Sequence, residues 1–98
     1  MQVTFDAEPF PWHSDKTTWV FVKVPPDDAD AIDDATSMTG GFGSVKVNVQ
    51  VGKTAWSTSL FPSKEYETYV LPLKKAVRQA EGIEVGKPVS ITVEIVHV

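Results

Sequence analysis

Ser57, Thr58 and Ser59 stand together, and with His13 and His97 they are the side chains that could support nucleophilic or acid–base chemistry. A hydroxyl attacks only when a base lies within hydrogen-bond reach and a third group orients that base. Asp15 is close enough in sequence to orient His13. No glycine elbow and no Ser-x-x-Lys spacing surrounds the three hydroxyls, however. The enzyme reading therefore depends on whether the fold carries His13 or His97 to the triplet.

Three other groupings suggest ligands. Asp27, Asp28, Asp30, Asp33 and Asp34 form an acidic run. A calcium loop needs glycine at its sixth position and glutamate at its twelfth. Counted from Asp28, those places hold Asp33 and Thr39, so the run reads as a solvated helix face and not as a metal loop. Gly40, Gly41 and Gly43 precede a strand pattern, whereas phosphate-cradling loops precede a helix whose N–H groups face the anion. They read as a connector. Two histidines and no cysteine leave no histidine or thiolate metal site, and no cofactor is expected.

Lys74, Lys75 and Arg78 are the concentrated basic feature. Residues three and four apart neighbour one another on a helix, so the three share a flank. Two of them lie in the first turn, where positive charge opposes the helix dipole. They are the candidate anion contact, for a small anionic ligand or an acidic protein surface, near the segment Phe61 to Lys64. Trp12, Trp19 and Trp56 are expected to fill the core.

The elements that must position these groups follow from periodicity. Thr17 to Val24 reads as a strand with Trp19 and Phe21 on one face and Val20, Val22 and Val24 on the other. Two apolar faces suggest a strand covered on both sides. Pro25-Pro26 ends it, and Asp27 to Met38 reads as a short helix with Ala29, Ile32 and Thr36 on its apolar stripe. Ser44 to Gln50 alternates cleanly, with Val45, Val47 and Val49 inward and Lys46, Asn48 and Gln50 outward. Gly52 turns the chain into Thr54 to Phe61, an antiparallel return. Pro62 to Lys64 reads as a loop and Tyr66 to Leu71 as a strand. Pro72 then opens a helix carrying Leu73, Ala76, Val77 and Ala80 at helical spacing, ended by Gly82. Lys87 to Val98 closes as a strand with Val89, Ile91, Val93 and Ile95 inward.

The 98 residues make one domain, 42% apolar and without cysteine, so its core must hold unaided by disulfides. That absence, and the lack of a signal-peptide pattern, point to a cytoplasmic protein. The net charge of −4 argues against binding nucleic acid or anionic lipid, and no apolar run approaches membrane-span length.

Four stretches resemble the bacterial family DUF1905, a domain of unknown function: TTWVFVKVP, SVKVNVQVGKTAWSTSLFP, YVLPLKKAVRQAEGI and VGKPVSITVEI. The family often has Gly-Asp before the last strand and an arginine in the central one; this chain has Gly86-Lys87 and Lys46. The resemblance implies a closed double-split β-barrel, topologically related to the AbrB/MazE barrels but completed within one chain. It also implies an occasional association with a bacteriocin-protection domain of the YdeI/OmpD-associated type, hence a link to envelope stress. Together these readings predict a mainly-β, small closed barrel of about six strands with two short helices. It should be a monomer, since a closed barrel leaves no edge to complete. It is expected to serve as a non-enzymatic module binding a small ligand or a protein. The alternative is a small hydrolase or isomerase using hydroxyls and a histidine at the barrel mouth.

Overall fold

The computed structural model describes residues 1–13, 17–36 and 43–96. Seven strands and two helices follow in the order β1 (Gln2–Ala7), β2 (Phe10–His13), β3 (Thr18–Lys23), α1 (Pro26–Thr36), β4 (Val45–Val51), β5 (Thr54–Ser63), β6 (Thr68–Pro72), α2 (Lys75–Glu81) and β7 (Val89–Ile95). The strands form one antiparallel sheet in the order β1-β7-β4-β5-β6-β3-β2. It is mainly β, as expected, but it is an open, curled half-barrel and not a closed six-stranded barrel. The chain crosses from one edge strand to the other through Glu8-Pro9 alone. Pro9 has no N–H for a ladder, and its carbonyl accepts from the Gly86 N–H at 2.9 Å. The two edges therefore meet at that corner without pairing.

The curl rests on β5. Its first seven residues, Thr54 to Leu60, pair with β4, and Phe61 to Ser63 pair with β6. Proline is confined to edges and bends in sheets, yet Pro62 sits in this ladder opposite Tyr69, where a loop was expected. Pro72 likewise ends β6, opposite Phe21, instead of opening α2. The helix starts later, with Lys74 at its N-cap and Lys75 as its first residue.

The core lies in the concave side. Val45, Val47, Val49, Ile91, Val93 and Ile95 are buried, while Lys46, Asn48 and Gln50 are exposed, so the alternation fixes the register as read. Val20, Val22, Val24, Leu60, Leu71 and Phe5 complete the lining, and Ile32 of α1 is fully buried against it. On α2, Leu73 just before the helix and Val77 within it are buried; Ala76 and Ala80 are exposed, so the predicted stripe is only half used. Gly52 adopts φ 57°, the left-handed geometry that a two-residue hairpin turn needs. A Cβ there would fall 2.0 Å from a Glu81 carboxylate oxygen. That carboxylate accepts from the Thr54 hydroxyl at 2.6 Å and ties α2 to the start of β5.

Candidate functional site

Because β3 gives Val20 and Val22 to the core, its alternate residues must face out. Trp19 and Phe21 do so, and the register of β2 places Trp12 opposite Trp19 and Phe10 opposite Phe21 on the same outer face. Lys23 and Val70 continue that face, and Phe61 lies opposite Val70. Trp12 is 48% exposed, Trp19 49% and Phe61 45%. The expectation that the tryptophans fill the core thus fails for Trp12 and Trp19. The valines of β3 already occupy the inner side, and a strand has only two. Trp56 alone points inward and is half-buried against the core, with its indole N–H buried and unpartnered among the described residues.

The rings are ordered. Trp19 and Phe21 stack with centroids 6.4 Å apart and planes 15° from parallel. Phe10 lies 6.2 Å from Phe21 and 5.1 Å from Tyr66. The Lys23 ammonium sits 5.8 Å from the Phe10 centroid and 5.1 Å from that of Tyr66, within cation–π range. Between these strands and the β5–β6 turn runs a shallow groove of about 250 Å³, walled by Phe10, Trp12, Phe21, Pro62 and Tyr66, with Glu65 on its margin. It is apolar and open.

A second cleft, about 270 Å³, lies between α1 and the β5–β6 turn. Tyr69 is buried there and donates its hydroxyl to Asp33 at 2.5 Å. Burial, and then the Asp33 carboxylate, push its phenol up to about 12. Thr68 donates to the Val24 carbonyl at 2.7 Å, tying β6 to the end of β3 just before α1. The acidic run accordingly sits on a helix face, with Asp33 used as a structural acceptor. No described cluster of histidine, aspartate and glutamate side chains could hold a metal.

Ser57 and Ser59 lie on the outer side of the β4–β5 ladder, whereas Thr58, opposite buried Val47, takes the core side. Ser57 donates to Asn48 at 2.7 Å, and the Asn48 amide donates to Glu94 at 3.4 Å. His13 bonds through Nδ1 to the Thr18 hydroxyl at 3.0 Å, on the far edge strand, with β6 and β3 between it and β5. His97, Asp15 and the glycines Gly40 and Gly41 lie outside the described residues. Lys74 and Lys75 are exposed, whereas Arg78 is half-buried and donates Nε–H to the Leu73 carbonyl at 3.1 Å. The hydrogen bond from α2 to β5 is made at Thr54, the opposite end of β5 from the expected neighbours Phe61 to Lys64. No helix is long and apolar enough to cross a membrane.

A curled antiparallel sheet braced by two short helices, with a row of rings on its outer side, defines a small, mainly-β domain. The model of the domain of unknown function DUF1905 matches residues 5–93, nearly the whole chain, and the chain belongs to that family. Comparison with curated proteins finds no match. The aromatic row was missed in the sequence because β2 was not recognised. The Phe-Pro-Trp-His segment hides its strand behind a proline, although Phe10 and Trp12 already carried the period-two signal.

Proposed function

We propose that this chain is a non-enzymatic binding module whose contact surface is the aromatic outer face of β2, β3 and β6, and whose occupant is an extended protein segment with proline or other apolar side chains and a basic residue. The observation that carries this reading is the near-half exposure of Trp12, Trp19 and Phe61 on one face. Large contiguous apolar patches on a small domain mark interaction sites. A small molecule needs an enclosure that buries most of its surface, and this groove is open. Aromatic-lined open grooves suit extended proline-rich chains. Glu65 on the margin and the net charge of −4 favour a cationic flank. The same charges disfavour single-stranded nucleic acid, whose stacking platforms are basic. The separation of His13 from Ser57, Thr58 and Ser59 supports the non-enzymatic reading.

The test uses a synthetic peptide alternating proline and arginine, titrated by intrinsic tryptophan fluorescence. Wild type should respond. The double variant Trp12→Ser/Trp19→Ser should keep its circular dichroism spectrum and bind roughly tenfold or more weakly, a loss of about 1.4 kcal/mol or more. Equal binding by both proteins, or none by wild type, overturns the assignment.

A separate anion contact at Lys74, Lys75 and Arg78 is also proposed, on the ground that Lys74 and Lys75 are exposed and make no ion pair among the described residues. Arg78 contributes less, since it braces the start of the helix. Replacing the three by glutamine should abolish salt-sensitive binding of inorganic pyrophosphate. Unchanged or salt-insensitive binding would leave only a solvated helix face.

A further inference from the structure

The two edges of the sheet are chemically unlike. In an antiparallel ladder alternate residues exchange both backbone bonds with one neighbour, and the residues between them point the other way. The Leu73 N–H bonds the Val20 carbonyl and the Val24 N–H bonds the Tyr69 carbonyl, so Val20, Val22 and Val24 serve β6. Trp19 and Phe21 therefore serve β2 through Trp12 and Phe10, and Pro11 turns to the free edge. That edge is short, and its proline lacks the outward N–H. It is closed to a further strand.

At the other edge, the Ile95 N–H bonds the Met1 carbonyl at 2.9 Å, which sets the phase of β1 against β7. Val3, Phe5 and Ala7 face Val93, Ile91 and Val89 and use their bonds inward. The N–H and C=O groups of Gln2, Thr4 and Asp6 then point away from β7, and β1 has no other ladder partner among the described residues. The strand carries no proline, lysine or bulge, the usual guards of an edge.

We infer that β1 is an assembly edge at which a second copy of this chain pairs antiparallel, with the two-fold axis at Thr4. In that register Thr4 faces its own counterpart, and Gln2 faces Asp6 of the other copy in both directions. The three outward-pointing residues of each strand thus form mutually bonded pairs. The side chains agree on both faces. Outside, the Gln2 amide donates to the Asp6 carboxylate, and the Thr4 hydroxyl, already 3.0 Å from that of Thr92, continues a hydroxyl row across the axis. Inside, half-buried Val3 meets Phe5 of the other copy, extending the core. Such a self-complementary seam is what two-fold assembly requires. It rests on β1 alone and is independent of the aromatic face.

Sedimentation of the full chain tests it. Wild type should be a reversible dimer at high micromolar concentration, with the Thr4 N–H exchanging more slowly as concentration rises. Thr4→Pro removes an outward N–H without removing a bond to β7 and should be monomeric. Gln2→Asp sets carboxylates opposite each other and should weaken association by roughly tenfold or more, whereas Gln2→Lys should tighten it. If Thr4→Pro does not fold, the opposed effects of the two Gln2 variants decide the matter. A wild type that stays monomeric at millimolar concentration, or a dimer indifferent to both Gln2 charges, overturns the inference.

Discussion

Leu60→Ala should lower the free energy of unfolding by about 3.5 kcal/mol, near the middle of the range for emptying a filled leucine site. Leu60 has no exposed surface and is the last residue of β5 to pair with β4 before the strand turns to β6. A cavity there opens where the two halves of the curl share their packing, and neighbours anchored in different ladders cannot both move in to fill it. The neighbouring Phe61→Ala removes a larger side chain from a 45% exposed site and should cost well under half as much. Urea titrations of the two variants check the contrast. A smaller loss for Leu60→Ala than for Phe61→Ala would mean that the bend of β5 does not pass through the core.

The second expectation concerns alkali. Tyr69→Phe should destabilise the protein by about 1.5 kcal/mol at neutral pH, since it breaks a hydrogen bond to a charged acceptor. The phenol is raised from 10.0 to about 12 by burial and by Asp33. An acid whose folded pKa is raised keeps its proton longer when folded than when unfolded. Its contribution is complete below pH 10 and disappears as the pH rises toward 12. The stability difference between wild type and Tyr69→Phe should therefore be constant up to about pH 10 and shrink beyond it. Every other residue is common to the two proteins, so its contribution cancels in that difference. A gap that stayed constant through pH 12 would show that Tyr69 does not keep its proton in the folded state.

Where the pattern of residues had a single physical cause, the sequence was legible. The valines of β4 alternate because one face meets the core, and Gly52 was readable because its hairpin turn demands a positive φ. The acidic helix was legible from its buried Ile32. What escaped were features set by partners far along the chain. Gln2 to Ala7 alternates as plainly as β4, but its worth as a strand depends on β7. Pro62 reads as a loop and Pro72 as a helix start because a proline normally ends pairing, yet each sits in a ladder where its missing N–H is not required. The candidate site was hidden for the same reason. An aromatic strand with two apolar faces does not say which face the rest of the molecule will cover. The closed barrel failed on one junction, Glu8-Pro9, where the ladder cannot continue.

The pairing of β1 with β7 joins residues as distant as Thr4 and Thr92, 88 positions apart. Chains dominated by such remote pairings fold on the millisecond-to-second scale, because closing the loop must precede its reward. During synthesis the consequence is sharper. β1 emerges from the ribosome early, and its partner follows roughly 4 to 18 seconds later at ordinary elongation rates. Through that interval the nascent chain presents an apolar, alternating segment with neither side of its backbone engaged, and Val3 and Phe5 have no core to enter. The strand that completes the sheet is thus the one longest exposed to chaperones and to neighbouring nascent copies.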